Sequence, residues 1–472
     1  MSGDLKKTAT DIIPHRQVFA RNENNDALNL KAVCFFAAAG FFLERDTYYK
    51  NLEVLQPAHN YFLDENNYIK KYEVNWNWNY NPREIGLKQA TEEFAELFEK
   101  ITFNDLKGKD VILPLSGGLD SRTQAVAAGK DLNIKCYSYK FSDSFDETKY
   151  GREICRLNKL DFTEYTIPEG YLWNVIERLS EINSCYADFT HPRQMAVINE
   201  ISKLGNIFYL GHWGDVLFDD MGADSDLTFD EQVDFVIKKI FKKGGAELAE
   251  LLWDYWGLDG DFKNHVKERI SLLLDKIKID NTNARIRAFK SLYWAPRWTS
   301  ANLNVFSDFH PVSLPYYNDE MCKFICTVPE ELLADRQIQI EYIKMKNPET
   351  ASVPWQSYDP LNLYNYKQYG NISGVPGRIL KKGKRILKET IKGKKLTTRN
   401  WEIQFTGEKN DTELRKHLFE NPAFEELVSK EIVKKIYESF KTKDQVYYSH
   451  PLSMLLTLSV FAKNQKKYNE QK

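Results

Sequence analysis

The chain has 472 residues, of which 42% are hydrophobic and 14% are aromatic, and its formal net charge is -2. This length and composition predict a globular protein of two or three domains with buried cores, and the nearly neutral charge gives no overall attraction to nucleic acid or to a membrane. No run approaches the roughly 18 apolar residues of a membrane span, and the first residues lack the apolar core of a signal peptide, so we expect a cytoplasmic protein without a nucleic-acid partner.

The sequence predicts a short N-terminal region over residues 1–82. Residues 1–26 are polar, Leu28 to Phe42 is an apolar segment suited to a helix, and residues 49–72 have the pattern of short strands interrupted at Gln56-Pro57 and at 64–67. Residues 83–106 then keep apolar side chains at helical spacing among charged ones. That spacing predicts an amphipathic helix leading into the next domain.

A phosphate-binding loop is the most specific motif in the chain. Residues 111–115 are a β-prone run, Ser116-Gly117-Gly118-Leu119-Asp120-Ser121 follows, and residues 123–128 predict the opening of a helix. The two glycines let the backbone approach an anion closely, and the first free N–H groups of the helix would face a bound phosphate. Asp120 fits among these groups if a divalent cation lies between its carboxylate and the phosphates.

After this loop, segments with strand and helix patterns alternate. Strands are predicted at 134–141, 162–167 and 207–210, and helices at 147–157, 171–182 and 194–204. This alternation is typical of an α/β fold with a doubly wound, mostly parallel sheet. Binding sites in such folds lie beyond the carboxyl ends of the strands, which places Ser116, Ser138 and Gly211 at one crevice.

The remainder of the chain is predicted to be mainly helical, with amphipathic segments at 235–241, 248–256 and 266–277, a further helix after Asp319, and a helical stretch over 424–462. We therefore divide the chain at 1–82, 83–225 and 226–472, with the nucleotide-binding core in the second part and a helical completion in the third.

The loop Ser116 to Ser121 resembles the PP-loop of the ATP pyrophosphatase superfamily, and its setting resembles the synthetase domain of asparagine synthetases. The resemblance implies that the loop holds the β- and γ-phosphates of ATP while the bond between the α- and β-phosphates is cleaved. Residues 136–141 stand in the place of the family strand whose end contacts adenine, and Asp146-Glu147 stand where the family has an Asp-Glu pair.

A second stretch, 210–220, aligns without gaps with the family sequence Ser-Gly-Glu-Gly-Ala-Asp-Glu-Leu-Phe-Gly-Gly. Gly211 and Asp215 are kept, so the resemblance implies that Asp215, with Asp120, lies near Mg²⁺ and pyrophosphate. The glutamate that helps to handle the incoming amine in the family is replaced by His212, and the second glutamate by Val216. His212 is equally a candidate base and a candidate structural residue.

In asparagine synthetases a lysine follows a Pro-Phe-Leu-Asp stretch and contacts the adenylate. Residues 314–319 resemble that stretch, and Lys344, in the segment 335–346, is our candidate for the lysine. A surface role for Lys344 is the alternative.

The family glutaminase requires an N-terminal cysteine on a domain of well over a hundred residues. Here residue 2 is serine, and only about eighty residues precede the synthetase part. We therefore expect no glutaminase activity in this chain, whose residues 1–82 resemble a remnant of that domain. Nitrogen must then come from ammonia, from an amine-bearing substrate or from a separate glutaminase subunit.

Residues 378–399 contain ten Lys or Arg against one acidic residue, Glu389. Such asymmetry is compatible with an anionic partner, such as an acidic glycan, a nucleotide sugar or a membrane surface, and equally with an exposed loop that has no partner.

The cysteines show no spacing typical of a zinc site, and we expect reduced thiols. Cys322 and Cys326, one helical turn apart, are expected on a core face.

Taken together, the motifs predict an ATP-dependent amide-forming ligase that activates a carboxylate as an acyl-adenylate, with ATP and Mg²⁺ as cofactors and a small-molecule, glycan or peptide carboxylate as substrate. Two alternatives stay open. One is another PP-loop enzyme that adenylates a different oxygen, and the other is a degenerate domain that binds nucleotide without turnover.

Overall fold

The computed structural model of the chain describes residues 19–21, 27–65, 68–129, 132–142, 146–370 and 404–470. The predicted basic segment 378–399 and residues 1–18 lie outside these ranges. The strands within them are β1 (Phe19–Arg21), β2 (Leu52–Val54), β3 (His59–Leu63), β4 (Ile69–Val74), β5 (Asp110–Pro114), β6 (Asn133–Phe141), β7 (Asp161–Ile167), β8 (Ile207–Tyr209) and β9 (Val312–Ser313).

The central feature is a five-stranded sheet with the order β7-β6-β5-β8-β9, in which all neighbouring strands are parallel. Val111, Ile112 and Leu113 of β5 are fully buried, which is why this central strand is a continuous apolar run. From β5 the chain builds one side of the sheet with β6 and β7, then returns to the other side with β8 and β9. The predicted parallel α/β sheet is confirmed, and its switch point lies between β5 and β8.

Helices surround this sheet and form most of the rest of the described chain. The α-helices are α1 (Leu30–Ala39), α2 (Leu87–Leu106), α3 (Leu119–Ala127), α4 (Thr148–Asn158), α5 (Tyr171–Asn183), α6 (Ile198–Ile201), α7 (Gly214–Leu217), α8 (Phe229–Ile240), α9 (Gly245–Tyr255), α10 (Phe262–Asp275), α11 (Thr282–Phe289), α12 (Ser300–Ser307), α13 (Asp319–Ile325), α14 (Glu330–Leu333), α15 (Gln337–Lys346), α16 (Pro348–Ser352), α17 (Glu408–Phe419), α18 (Pro422–Leu427), α19 (Lys430–Thr442) and α20 (Gln445–Glu470). A π-helical turn, Lys290–Thr299, joins α11 to α12.

Two helical predictions need correction. The single helix predicted over 194–204 is divided into the 3₁₀ segments Arg193–Val197 and Ser202–Leu204 on either side of α6, because the backbone at Val197 leaves the helical region with φ -135° and ψ 19°. The helix of the phosphate loop begins at Leu119 instead of Thr123, so Asp120 and Ser121 lie in its first turn.

The apolar N-terminal helix α1 is buried among other helices. Eight of its residues, Ala32 to Ala39, are buried. A Cβ added at Gly245, the first residue of α9, would overlap the backbone carbonyl of Ala38, so glycine permits the close contact between the two helices. Helix α1 thus shares one hydrophobic core with the helices of the third predicted part.

The strands β2, β3 and β4 match the short strands predicted over residues 49–72. β1 pairs with β2 but lies in residues 1–26, where no strand was predicted. All six cysteines are buried free thiols, as predicted. Within the described ranges, none of the helices has both the length and the apolar character that crossing a bilayer requires.

Candidate active site

The phosphate loop, Ser116 to Ser121, connects β5 to α3 at the carboxyl edge of the sheet. Its polar groups are bonded to each other: the Ser116 N–H donates to Ser121 Oγ at 3.1 Å, and the Gly118 N–H donates to Ser116 Oγ at 3.2 Å. No side chain caps α3, whose N-cap is Gly118. Backbone N–H groups at an uncapped helix N-terminus are suited to an anion, and here they border the loop.

Gly117 must be glycine for steric reasons. A Cβ at this position would lie 2.7 Å from Cβ of Gln356 and 2.8 Å from Cγ of Tyr150. The Gly117 N–H donates to Gln356 Oε1 at 3.2 Å, and the Gln356 N–H donates to the Gly117 carbonyl at 3.2 Å. The segment that follows α16 therefore anchors the phosphate loop through Gln356.

The buried side chain of Arg122 anchors the phosphate loop through hydrogen bonds to backbone carbonyl oxygens. Its guanidinium is fully buried and donates to the carbonyl oxygens of Val353 and Pro354, both at 2.9 Å, and to that of Gly117 at 3.3 Å. Burial lowers the pKa of Arg122 to about 10, so the side chain stays charged at neutral pH. It acts as a structural cross-link between the loop and residues 353–354.

Replacing Arg122 with methionine is expected to lower the free energy of unfolding by about 3 kcal/mol, because several buried carbonyl groups lose their donor. Urea unfolding followed by circular dichroism measures this. Arg156→Met is the matched control, since Arg156 is 66% exposed and pairs only with Glu153, and it should cost less than about 0.5 kcal/mol. Equal losses in the two variants would contradict the cross-link.

The second motif packs directly on the first, because β8 lies beside β5. A Cβ at Gly211 would lie 3.0 Å from Cβ of Asp120, and a Cβ at Gly214 would overlap the Asp120 carboxylate. Both glycines thus leave room for Asp120. The sequence motif marks Gly211 as a backbone position near the nucleotide, and the structure adds the steric reason.

Asp120 lies in a network that the sequence did not reveal. Its carboxylate forms an ion pair with Arg336 and accepts a hydrogen bond from Gln339 Nε2 at 3.1 Å. Tyr316 donates to the Asp120 carbonyl at 3.2 Å and accepts from Gln339 at 2.8 Å. Burial raises the pKa of Asp120, and Asp215 raises it further, while the positive charge of Arg336 opposes both.

Arg336 is held in an unusual backbone conformation. It and Asp335 both have left-handed φ angles, 60° and 58°, at the junction before α15. Burial tends to lower the pKa of Arg336, but the charges of Asp120, Tyr316 and Asp215 and the hydrogen bond to Asp120 together outweigh it, and the pKa is raised. Left-handed non-glycine residues cost about 1–3 kcal/mol each, and such strain concentrates at functional sites.

A cavity of about 460 Å³ opens beside the loop. It is lined by Ser116, Gly118, Asp120, Ser121, Gly211, His212, Trp213, Asp215, Val216, Lys290, Trp294, Trp298 and Thr299. It therefore brings together most of the predicted site residues: four from the phosphate loop, and Gly211, His212 and Asp215 from the second motif.

Within the described ranges, the Asp215 carboxylate and the Lys290 ammonium form no hydrogen bond or ion pair with the protein, although both line this cavity. Every other charged side chain in the cavity wall is paired, since Asp120 is bonded to Arg336. Charged groups without protein partners in a cleft are free to bind a ligand. The cavity thus presents one negatively charged and one positively charged group to a bound ligand.

His212 is neutral near pH 7. Burial lowers its pKa to about 4, and the nearby Asp215 carboxylate opposes this shift only partly. Its Nδ1 is buried and has no hydrogen-bond partner within the described residues. Because a general base works best with a pKa near the working pH, His212 is a poor proton acceptor in this conformation.

The His212 shift predicts a pH dependence of stability. Between its ordinary pKa of 6.5 and about 4, the unfolded chain binds a proton at His212 that the folded chain does not, so stability falls as the pH decreases through this window. His212→Asn should reduce the loss of unfolding free energy between pH 7 and pH 5 by about 1–2 kcal/mol. Some loss persists, because burial lowers the pKa of His450 to about 4 as well. An unchanged loss in urea unfolding would contradict a neutral His212.

Three predicted site residues lie outside the cavity wall: Gly117, Ser138 and Lys344. Gly117 belongs to the loop but is covered by Gln356 and Tyr150. Ser138 follows Tyr137, the last β6 residue paired with β5, at the carboxyl edge of that strand pair.

Lys344 forms an ion pair with Glu341 at 2.8 Å and lines a separate pocket with Tyr364 and Lys367. The roles assigned to Ser138 and Lys344 stay predictions. The lysine that does line the cavity is Lys290, and its position in the sequence carries no motif.

The acidic groups fit Mg²⁺ only together with a phosphate ligand. Within the described ranges, no three His, Cys, Asp or Glu side chains converge into a metal site. Mg²⁺ is commonly held by one or two carboxylates plus substrate phosphates. Asp215 is free for this role, and Asp120, which already pairs with Arg336, lies in the same cavity wall.

Comparison with known proteins gives one domain match. Residues 107–276 match the family model described as asparagine synthase. Among solved structures, the chain is similar to the NMN synthetase from Francisella tularensis, with 14% identity, 44% of this chain and 94% of that chain covered, and a TM-score of 0.23. No curated protein matches the chain. The family match contains both sequence motifs of the cavity.

Proposed function

We propose that this chain, whose residues 107–276 match the asparagine synthase family model, is an ATP-dependent amide-forming ligase. It activates a carboxylate as an acyl-adenylate, releases pyrophosphate, and transfers the acyl group to ammonia or an amine. The observation that carries the proposal is the cavity at the switch point of the sheet, where the phosphate loop on the N-terminus of α3 and the unpaired Asp215 carboxylate line one wall.

In the first step an oxygen of the carboxylate bonds to the α-phosphorus of ATP, and the bond to the pyrophosphate oxygen breaks. The phosphate loop stabilises the negative charge that develops on the leaving group through its backbone N–H groups and hydroxyls. For this the hydrogen bonds within the loop, such as that from Gly118 to Ser116, must open. The loop therefore acts by charge stabilisation and positioning and forms no covalent intermediate.

In the second step the nitrogen attacks the acyl carbon, and the bond to AMP breaks with its electron pair leaving on the phosphate oxygen. The nitrogen releases one proton to solvent as the amide forms. Asp215, together with Asp120, would hold Mg²⁺, which neutralises phosphate charge when bound. Arg336 favours the ionised form of Asp120 beside the loop, because its positive charge opposes the effect of burial on the Asp120 pKa. The nitrogen source is free ammonia, an amine-bearing substrate or a separate glutaminase subunit, since we propose no glutaminase activity for this chain.

The test is the exchange of labelled pyrophosphate into ATP by the purified chain with a panel of carboxylic acids. The proposal predicts exchange that requires an acid and Mg²⁺ and is lost in Asp120→Asn, while unfolding of the variant stays cooperative. A calorimetric titration with ATP reports binding separately.

A second candidate function is nucleotide binding without turnover. The replacement of two family glutamates by His212 and Val216, and the low pKa of His212, favour it. Binding of ATP without exchange on any acid would support this candidate. Exchange on a nucleobase or another non-carboxylate oxygen would instead support a different PP-loop adenylating enzyme.

A further inference from the structure

Lys290 extends into the cavity from the π-helical turn between α11 and α12. Its Nζ lies 4.9 Å from the ring centroid of Trp294 and 5.9 Å from that of Trp213. Burial lowers the pKa of Lys290 to about 8, opposed by the charge of Asp215, so most of it is protonated at pH 7. Within the described ranges this partly desolvated ammonium contacts aromatic rings and forms no hydrogen bond or ion pair, so it gains free energy when an anion binds beside it.

The ring contacts of Lys290 belong to a row of three tryptophans, which we call the indole wall: Trp213, Trp294 and Trp298. Neighbouring rings meet edge to face, with centroids 6.4 Å apart in both pairs. Trp213 is also fixed by its indole N–H, which donates to Ser291 Oγ at 3.2 Å. The indole wall therefore gives one part of the cavity a rigid, largely apolar surface.

A second lysine, Lys242, contacts the indole wall although it does not itself line the cavity. Lys242 Nζ lies 5.3 Å from the Trp294 centroid and 5.7 Å from that of Trp298. Trp294 thus contacts both lysines. The phosphate-binding groups come from other elements, namely the loop and the N-terminus of α3. The cavity accordingly combines a phosphate-binding part with a cationic, aromatic part.

We propose that Lys290 and the indole wall form the subsite for the carboxylic acid that is activated, and that this acid contains a ring. The carboxylate pairs with Lys290, and the ring packs against the indole wall. A small acyclic acid would leave the wall uncovered, whereas a ring buries a flat face against it at little cost in conformational entropy. The role of this subsite in catalysis rests on the proposed ligase function. Its preference for a cyclic acid can be measured by binding alone.

Two pairs of acids, each containing a cyclic and an open-chain member, serve as probes. These are glucuronate with gluconate, and cyclohexanecarboxylate with heptanoate. Binding is measured by calorimetry in the presence of α,β-methylene-ATP, which cannot be cleaved between the α- and β-phosphates. In at least one pair we expect the cyclic acid to bind about tenfold more tightly. Preference for glucuronate indicates a sugar acid, and preference for cyclohexanecarboxylate indicates a carbocyclic acid.

Lys290→Met should weaken binding of the preferred acid by about tenfold or more and change the Kd of the nucleotide analogue by less than about twofold. Lys290→Arg, which keeps the charge, should retain most of the affinity. The exposed Lys238→Met is the control and should bind like the wild type. Trp298→Ala should weaken the cyclic acid more than its open-chain partner.

The proposal is overturned if no probe acid binds, if the open-chain acids bind as tightly as the cyclic ones, or if Lys290→Met weakens the nucleotide and spares the acid. The proposed ligase function fails in a different way. Binding of a cyclic acid without pyrophosphate exchange would refute the ligase and keep the subsite, whereas exchange with open-chain acids alone would refute the subsite and keep the ligase.

Discussion

Replacing Arg336 with methionine is expected to lower acid-dependent pyrophosphate exchange by about 10²- to 10³-fold, the usual effect of removing one preorganised charged group from an active site. Arg336 is the positive group that opposes the effect of burial on Asp120. Without it the pKa of Asp120 rises further, which favours the protonated carboxyl group. The residual activity of the variant should therefore increase with pH more steeply than that of the wild type.

The same substitution should also lower stability. The Asp120 and Arg336 side chains are only 25% and 12% exposed, so breaking the pair leaves a largely buried carboxyl group and costs about 2 kcal/mol of unfolding free energy. Arg336→Lys keeps the charge but loses the hydrogen bond from Nε to Gln339, and it should fall between wild type and Arg336→Met. If Arg336→Met exchanges pyrophosphate at the wild-type rate, Arg336 has no part in the chemistry.

Replacing Asp215 with asparagine should lower the exchange rate by a similar factor, about 10²- to 10³-fold, but with a different effect on stability. The Asp215 carboxylate is exposed to the cavity and has no hydrogen-bond or ion-pair partner within the described ranges. Its removal breaks no hydrogen bond or ion pair within the described ranges, so the unfolding free energy should change by less than about 0.5 kcal/mol. Exchange assays over a range of Mg²⁺ concentrations, with urea unfolding, measure both quantities.

Asp226→Asn is the matched control, since Asp226 is also exposed but lies outside the cavity wall. This control should leave both exchange and stability unchanged. If Asp215→Asn proves as active as the control at low and high Mg²⁺, then Asp215 binds neither the metal nor the phosphates. Arg336→Met should lower both the exchange rate and the unfolding free energy, whereas Asp215→Asn should lower the exchange rate alone.

The local part of the site could be predicted from sequence. The strand, loop and helix around Ser116 are contiguous, and glycines and hydroxyls in that order between a strand and a helix are typical of a phosphate-binding loop. The parallel sheet followed from the alternation of strands and helices, and β5 and β8 then had to place Gly211 and Asp215 near the loop.

The groups that arrive from distant parts of the chain could not be predicted. Arg336 reaches Asp120 across 216 positions of sequence, and it lies at a helix junction inside the segment 335–346, in which the family resemblance indicates Lys344 instead. Lys290 lies in a π-helical turn with no motif, and it enters the cavity only because that turn packs against Trp213. Such contacts depend on tertiary packing, which no local pattern encodes.

Trp213 and Gly214 stand where the family sequence that this stretch resembles has Gly-Ala. Trp213 adopts a left-handed backbone with φ 75°, a conformation that favours glycine, and the cost is offset by its buried ring and its bond to Ser291. Gly214 then lacks a Cβ where one would overlap the Asp120 carboxylate. Trp213 thus adds its ring to the cavity wall, and Gly214 leaves room for Asp120.

The most direct test of acyl-adenylate formation follows an oxygen atom. An acid that supports pyrophosphate exchange is labelled with ¹⁸O in its carboxylate and incubated with the chain, ATP, Mg²⁺ and ammonia, and the AMP is examined by mass spectrometry. Attack of the carboxylate on the α-phosphorus predicts AMP that carries one ¹⁸O atom. Unlabelled AMP, or ADP in place of AMP, would contradict the mechanism.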